Sequence, residues 1–595
     1  MRKFHIFSFA AILLLVSVSC GRWQRPEKLR IEIIETSDVH GAIFPYDLKE
    51  ERKTDYSLAQ VFTYVEKERK QTGQEVILLD NGDILQGDPV VYYYNFIDTT
   101  DEHICAGVMN YMKYDAATAG NHDIEPGHPV YDRLMHEFRF PWLAANAVDK
   151  TSGKPYFKPY VILKRKGVKI AILGLITPAI PKWLPGKIWK GIEFDDMVET
   201  ARKWVNIIKE NEHPDLLVGL FHSGVEYQYG GENAETYKNE NASALVAEKV
   251  PGFDIVFVGH DHHGWNKTVE NSAGEKVLIL GTTSKARDMA IAEVEFSLDK
   301  NTGEYATDIK GKIVKTKDIP PDSAFLQRFT PALETVREYV SSPVCRFDSP
   351  IDSRDAFFGD AAFTDLIQQA QLAITGAQIS FSAPLDMNVR IDTGECYVRD
   401  MYKLYRFENL LYTMELTGRE IKDYLEYSAG LWFNKMKNKN DHLLNFKTNE
   451  DGTLVPSKHG KGYQLANAFY NFDAGEGLIY TVDVTKPSGN RIVIYSLFDG
   501  TPFNPDKTYT VAINSYRGNG GGGHLTKGAK IKPGELSSRI VNTTTKDLRY
   551  YLEQWLKAKG EITPKADNNW MIIPREWADT AKEKDYQLLF GTAKK

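Results

Sequence analysis

The chain has 595 residues, of which 42 % are apolar and 26 % charged, and its formal net charge is −7. That length leaves room for several domains with sizeable cores, and the composition is that of an ordinary soluble protein. The mild acidity, without basic blocks or Arg/Lys–aromatic interleaving, excludes a nucleic-acid footprint.

The N-terminus departs from this average. Met1, Arg2 and Lys3 open a stretch whose residues 7–18 are apolar, and Ser17-Val18-Ser19 lead directly into Cys20. This has the shape of a secretory signal and is too short for an ordinary membrane span. Small residues before a cysteine resemble the lipobox of bacterial lipoproteins, in which the cysteine is lipidated and becomes the first mature residue. The expectation is a lipoprotein signal over 1–20 and a chain anchored through Cys20 outside the cytoplasm, at a periplasm-facing membrane or the cell surface. Cys105, Cys345 and Cys396 are an odd, widely spaced remainder, neither a disulfide framework nor a zinc motif.

A strand is expected over 30–35, ending in Thr36-Ser37-Asp38-Val39-His40-Gly41. Asp38 and His40, two apart, share one side of an extended segment. Residues 58–70 have helical spacing, with Leu58, Val61, Phe62 and Val65 on one face. The next strand, from Glu75, runs into Asp80-Asn81-Gly82-Asp83. Residues 116–120 lead into Asn121-His122-Asp123, and 215–221 into His222-Ser223-Gly224. Residues 255–258 form a short β-branched run that stops at Gly259 and delivers His260, Asp261, His262 and His263 into a loop.

Strand, polar terminus and helix, repeated, is the pattern of an α/β fold with a mainly parallel core. Ligands of such sheets lie beyond the carboxyl ends of the strands. One Asp or His there is usually a turn residue; five such termini are not explained by turn chemistry. Asp38, His40, Asp83, Asn121, His222, His260 and His262 offer four imidazoles, two carboxylates and one amide oxygen. That is too many for one catalytic ion but suits two divalent ions sharing the Asp83 carboxylate. The nitrogen–oxygen mixture favours Zn, Mn, Fe or Co over calcium. Two such ions serve phosphate-ester hydrolysis by an activated water, and His122 is placed to stabilise developing charge or protonate the leaving group.

These motifs resemble the calcineurin-like metallophosphoesterases, in order and spacing, from Arg30 to about Ile313. The resemblance implies a four-layer α/β/β/α domain over 28–318. One metal would be held by Asp38, His40, Asp83 and His262, the other by Asp83, Asn121, His222 and His260. In the family an aspartate commonly stands three residues after the catalytic histidine. This chain has Glu125 there, so the partner of His122 is either Asp123 or Glu125.

A linker helix is expected over 319–343, with Ser323 as its cap and an interruption near Pro331. Beyond it the chain resembles the C-terminal domain of the secreted 5'-nucleotidase / 2',3'-cyclic phosphodiesterase family, an α+β substrate domain placed here at 344–575, with a tail over 576–595. The matching segments begin at Tyr405, Tyr470 and Val511. By that resemblance Phe472 and Tyr516 sandwich the nucleobase, with Tyr470 the alternative to Phe472, and Asn121 counts as a substrate contact as well as a metal ligand. Stacking of this kind tolerates any base. Where 5'-nucleotidases carry Asn-Gly-Gly-Gly-x-Arg, this chain reads Ser380-Phe381-Ser382-Ala383-Pro384-Leu385-Asp386, and it has Gly522 where they place an aspartate. Those departures bring it closer to the bacterial 2',3'-cyclic-nucleotide 2'-phosphodiesterase/3'-nucleotidases. A 5'-nucleotidase or nucleotide-sugar hydrolase is the rival among enzymes; a surface lipoprotein that binds nucleotides or metal without turnover is the rival of another class.

Overall fold

The computed structural model describes residues 25–457 and 462–591, so the expected leader and Cys20 lie outside the described residues. In the strand Lys28–Thr36, Ile31 and Ile33 enter one apolar cluster and Ile34 another; in Gln74–Asp80, Ile77 and Leu79 sort from Leu78 in the same way. Period-two sorting into two apolar clusters makes a strand buried on both faces.

Both strands are central in a six-stranded sheet of order Tyr305–Lys315, Asp288–Leu298, Lys28–Thr36, Gln74–Asp80, Ala116–Thr118, Trp142–Leu143. Its last four strands are parallel and its first two antiparallel. A second six-stranded sheet has the order Trp265–Glu270, Lys276–Gly281, Ile255–Val258, Leu216–His222, Val168–Ile176, Tyr160–Arg165 and is parallel except at its two edges. The five strands with polar ends are thus divided between two sheets, as the implied α/β/β/α layering requires. The sheets pack face to face, with Ile31, Ile33 and Ile77 meeting Ile172, Val218 and Ile255. Helices Leu58–Arg69, Ile104–Met112 and Ser323–Val340 cover the first sheet, and Met197–Glu212 and Ser243–Lys249 the second. The layer order is α/β/β/α.

Helix Ser323–Val340 joins the halves. Its cap is Asp322 rather than Ser323, because Asp322 Oδ1 accepts from the Phe325 N–H at 2.8 Å. It continues through Pro331 without interruption, and Phe325, Phe329, Val336 and Val340 pack into the first domain. The second half is α+β. Its five-stranded sheet has the order Ala474–Glu476, Ile379–Ser382, Thr508–Asn514, Leu410–Thr417, Ile540–Asp547.

The expected tail is an integral helix, Arg575–Phe590. Ala578, Ala581, Tyr586 and Leu589 recur at helical spacing and enter the core, and Asp585 accepts from the Leu443 and Leu444 N–H groups at 2.7 and 3.0 Å. The domains meet at Tyr92, whose hydroxyl donates to Asp547 Oδ2 at 2.9 Å while the Arg549 guanidinium lies 5.0 Å from its ring. Cys345 and Cys396 face each other on neighbouring antiparallel strands; both are buried free thiols, as is Cys105. Among the described residues no helix is long and apolar enough to cross a membrane.

Candidate metal centre

The seven side chains expected as ligands lie at the carboxyl ends of strands from both sheets, so the site exists only where the sheets meet. Asp38, His40, Asp83, His260 and His262 have φ of 52°, 48°, 61°, 77° and 55°. Left-handed backbone costs such residues about 1–3 kcal/mol each, and its concentration in one place marks a functional site. Backbone bonds hold the strained loops together: the Asp38 N–H donates to Gly82 O and the His40 N–H to Asp83 O, both at 2.9 Å.

Two groups of donors form. In the first, His262 Nε2 lies 3.2 Å from Asp38 Oδ1 and 3.1 Å from His40 Nε2. In the second, His222 Nε2 lies 3.1 Å from Asp83 Oδ2 and 3.2 Å from Asn121 Oδ1, and His260 completes the cluster with Asp83 and His222. The rear nitrogens are committed elsewhere. His40 Nδ1 donates to Gln86 O at 3.0 Å and His222 Nδ1 to Asn81 O at 2.6 Å, which leaves each Nε2 lone pair for a cation. His260 Nε2 faces Glu240 Oε1 at 3.3 Å, leaving Nδ1 available. Burial pushes the Asp38 carboxyl up, but the His262 and His222 imidazoles outweigh it and hold the group at about 2. Burial and the neighbouring His262 bring His40 down to about 3, the neutral form that ligates. The donor set and its orientation fit two divalent cations.

His122 stands at the edge of this cluster, its ring centroid 5.5 Å from that of His40. Its Nδ1 lies 2.6 Å from Glu125 Oε2, so Glu125 rather than Asp123 is its partner. Burial disfavours the imidazolium, yet the Asp83 and Glu125 carboxylates hold it up at about 9. Asp123 has a different task. Its Oδ2 accepts from the Asp83 and Gly120 N–H groups at 2.8 Å each, and its Oδ1 from Ile84 and Leu85 at 3.0 and 3.1 Å. It fixes the loop that presents Asp83.

Gly120 closes on that loop. A Cβ there would lie 2.1 Å from Asp83 Oδ1 and 2.5 Å from its backbone nitrogen. Gly120→Ala is therefore expected to displace Asp83 by about 1 Å and lower kcat by about 10²-fold. Steady-state kinetics with metal analysis of the same preparation checks this.

The expected base-stacking residues separate. Phe472 is core: its ring is 3 % exposed and stacks on Trp432 at 4.8 Å and 14°. The short 3-10 turn Phe469–Asn471 carries Tyr470 and ends at Phe472; it breaks the extended run, and the apolar ring turns inward. Tyr470 and Tyr516 stay half-buried, and both act on Tyr229 of the first domain, with Tyr470 the strongest influence on its hydroxyl. Asn519, in the segment that carries Tyr516, donates from Nδ2 to Trp183 O at 3.2 Å, and the Trp183 ring stacks on His260, which brings that segment to the His260 side of the donors. On the His40 side a cavity is lined by His122, His262, Lys49, Lys285, Arg406 and Phe407.

Sequence reasoning missed several residues. Glu240, Trp183, whose ring stacks on His260 at 5.5 Å, and Tyr229, which opens the short 3-10 turn Tyr229–Gly231, lie in connecting segments without periodicity. Arg517 is the largest omission. Wholly buried, it donates to Asp473 Oδ1 and Oδ2, Asn471 Oδ1, Tyr470 O and Gly521 O at 2.7–3.1 Å. It ties the Tyr470 segment to the Tyr516 segment. Asp473 and Arg517 each follow an aromatic residue at a short interval, and that repeated pairing was the available signal.

Comparison with known proteins agrees with this architecture. Residues 31–264 match the family described as calcineurin-like phosphoesterase, and 340–528 match the 5'-nucleotidase C-terminal domain. The chain is 28 % identical to the trifunctional nucleotide phosphoesterase protein YfkN of Bacillus subtilis over 92 % of its own length, spanning 39 % of that longer protein. It is 26 % identical to the 2',3'-cyclic-nucleotide 2'-phosphodiesterase/3'-nucleotidase of Haemophilus influenzae, over 96 % of this chain and 92 % of the relative. Among solved structures, a putative 5'-nucleotidase from Staphylococcus aureus superposes with a TM-score of 0.74 at 20 % identity, over 91 % of this chain and 99 % of the other.

Proposed function

The chain belongs to the calcineurin-like phosphoesterases that carry a 5'-nucleotidase C-terminal domain, and is thus a phosphoric ester hydrolase, and from that premise we propose that its substrates are nucleotides, with 2',3'-cyclic and 3'-nucleotides preferred over 5'-nucleotides. The observation that carries this reading is the approach of the second domain's Tyr516 segment to the two metal-donor groups, through Asn519 on Trp183 O and Trp183 on His260. Asp38, His40, Asp83 and His262 would hold one cation and Asp83, Asn121, His222 and His260 the other, with Zn, Mn, Fe or Co suited to the donors. Bound there, the pair supplies Lewis acidity toward the phosphate and lowers the pKa of a water.

The protein's own groups do the rest. Tyr470 and Tyr516 stack the base, and Asn121 contacts the phosphate. His122, held by Glu125, gives a proton to the departing ribose oxygen. With a cyclic substrate the P–O2' bond breaks, water oxygen joins phosphorus and the 3'-ester remains. A second turnover breaks P–O3' and releases phosphate.

The preference for 3' over 5' substrates rests on Gly522 and on the relatives. A Cβ at Gly522, where φ is 71°, would lie 2.1 Å from Arg517 Nη1. The guanidinium thus occupies the space into which the aspartate of 5'-nucleotidases would project. Three of the relatives named 2',3'-cyclic-nucleotide 2'-phosphodiesterase/3'-nucleotidase are 25–26 % identical over 91–97 % of this chain. Purified protein assayed on 2',3'-cyclic AMP, 3'-AMP and 5'-AMP should favour the first two, and a chelator should abolish all three activities. Dominant turnover of 5'-AMP refutes the preference, and chelator-resistant turnover refutes the metal centre.

The leader directs the enzyme outside the cytoplasm, tethered through Cys20. Cys20→Ser should move the protein from the detergent-rich to the aqueous phase of a detergent partition; unchanged partitioning rules the anchor out.

A further inference from the structure

The second domain contains another cluster of oxygen ligands, outside the metal centre and the tyrosine cleft. Asp360 and Asp365 flank the start of helix Ala362–Thr375, and Asp567 lies in the loop before strand Trp570–Ile573. One carboxylate oxygen from each of the three falls within 4.8 Å of the others. Glu476, at the end of strand Ala474–Glu476, lies beside them, its carboxyl within hydrogen-bonding reach of Asp567.

The way these groups are held leaves oxygens over. The Asn568 N–H donates to Asp360 Oδ2 at 2.6 Å, the Asp567 N–H to Asp365 Oδ2 at 3.0 Å, the Asn569 N–H to Asp567 Oδ1 at 3.0 Å and the Gly477 N–H to Glu476 Oε1 at 3.0 Å. Each carboxylate therefore has one oxygen anchored by the backbone. Asp360 Oδ1 and Glu476 Oε2 are buried and receive no hydrogen bond from outside the cluster; only the carboxyls of Asp365 and Asp567, respectively, stand within hydrogen-bonding reach. Glu476 is 4 % exposed. An unpaired buried carboxylate oxygen is costly, and native structures supply it with a proton, a cation or an ion.

The charges acting most strongly on Asp360, Asp365 and Glu476 are all carboxylates. A helix N-terminus offsets only about half a unit of negative charge, too little for four acidic groups. Burial, and then the neighbours' charges, push Asp365 up to about 9 and Glu476 up to about 8. Asp360 and Asp567 are only partly buried and leave a way in from solvent.

We propose that Asp360, Asp365, Glu476 and Asp567 bind a third, structural cation of the calcium class. An all-oxygen set of carboxylates, with water filling the remaining positions, suits a hard cation that takes six to eight oxygen ligands and not the nitrogen-seeking metals of the catalytic centre. The ion clamps the loop at Asp567, which feeds strand Trp570–Ile573 onto Leu478–Asp483, to the helix at Asp365. It also steadies the end of the segment that carries Tyr470 and Asp473.

Terbium, a luminescent stand-in for calcium, tests this directly, because the Tyr480 hydroxyl accepts from the Gly475 N–H at 3.1 Å, next to Glu476, and its ring stacks on Trp570. Full-length protein with its catalytic centre filled by manganese should show saturable sensitised terbium emission at one ion per chain, displaced by calcium. Calcium should also raise Tm by at least about 3 °C. Asp365→Asn and Glu476→Gln should lose the emission, and Asp38→Asn should keep it. Equal emission from Asp365→Asn and the parent overturns the site. If that variant does not fold, native mass spectrometry of the parent with and without calcium decides, since no calcium adduct means that the cluster shares protons and holds no ion.

Discussion

Asp83→Asn should lower kcat on every phosphate ester by on the order of 10³-fold or more while leaving the fold intact. The substitution is isosteric and Asp83 is 1 % exposed, so packing changes little. What changes is charge at the seam between the two donor groups. Asp83 Oδ2 lies 3.1 Å from His222 Nε2, and its Oδ1 accepts from the His122 N–H at 2.7 Å. Its charge also acts on His40 and Asp38 of the other group. An amide offers one neutral acceptor where two dications need a shared anion. Metal analysis should find fewer ions per chain, and thermal unfolding should remain a single transition near that of the parent. A variant that hydrolyses as fast as the parent would falsify the catalytic reading and leave a surface protein that binds without turnover.

The second large effect is expected at a residue that touches no metal. Arg517→Met leaves Asp473 buried without its charge partner, and breaking one side of a buried pair costs about 3–5 kcal/mol. For a domain of this size that corresponds to a fall in Tm of about 6–20 °C. Loss of the donors to Tyr470 O and Gly521 O also frees the two tyrosine-bearing segments, so KM should rise more than kcat falls. Arg517→Lys should rescue little, because an ammonium cannot serve acceptors arranged around a planar fork. Arg517→Met combined with Asp473→Leu should recover part of the stability but not the KM. Recovery of both would mean that the pair serves only the core.

Local sequence was most informative where chemistry and period coincide. Each of the five polar strand ends pairs a short apolar run with Asp, Asn or His beside a small residue, and such a combination needs no tertiary context to be seen. Two alternatives left open there needed coordinates. Asp123 and Glu125 are two residues apart, and helical geometry turns Glu125 toward His122 and Asp123 toward the backbone of the Asp83 loop. Tyr470 and Phe472 are likewise two apart, and the inward place went to the ring without a hydroxyl, against Trp432.

By itself, then, the order of residues picked out the seven donor side chains that converge at the candidate metal centre and the division of the chain into an α/β and an α+β half. Both stem from short-range regularities: side-chain period, glycine at turns, and polar atoms at the ends of buried runs. Tertiary structure decided which strands enter which of the two sheets and that the carboxyl ends of both sheets bring the donors together. It also decided that Arg517 joins the tyrosine segments and that four acidic groups from three distant segments meet in the second domain. Those outcomes depend on strand pairing and burial between residues far apart in sequence, where no local pattern records which distant partner takes up a buried charge.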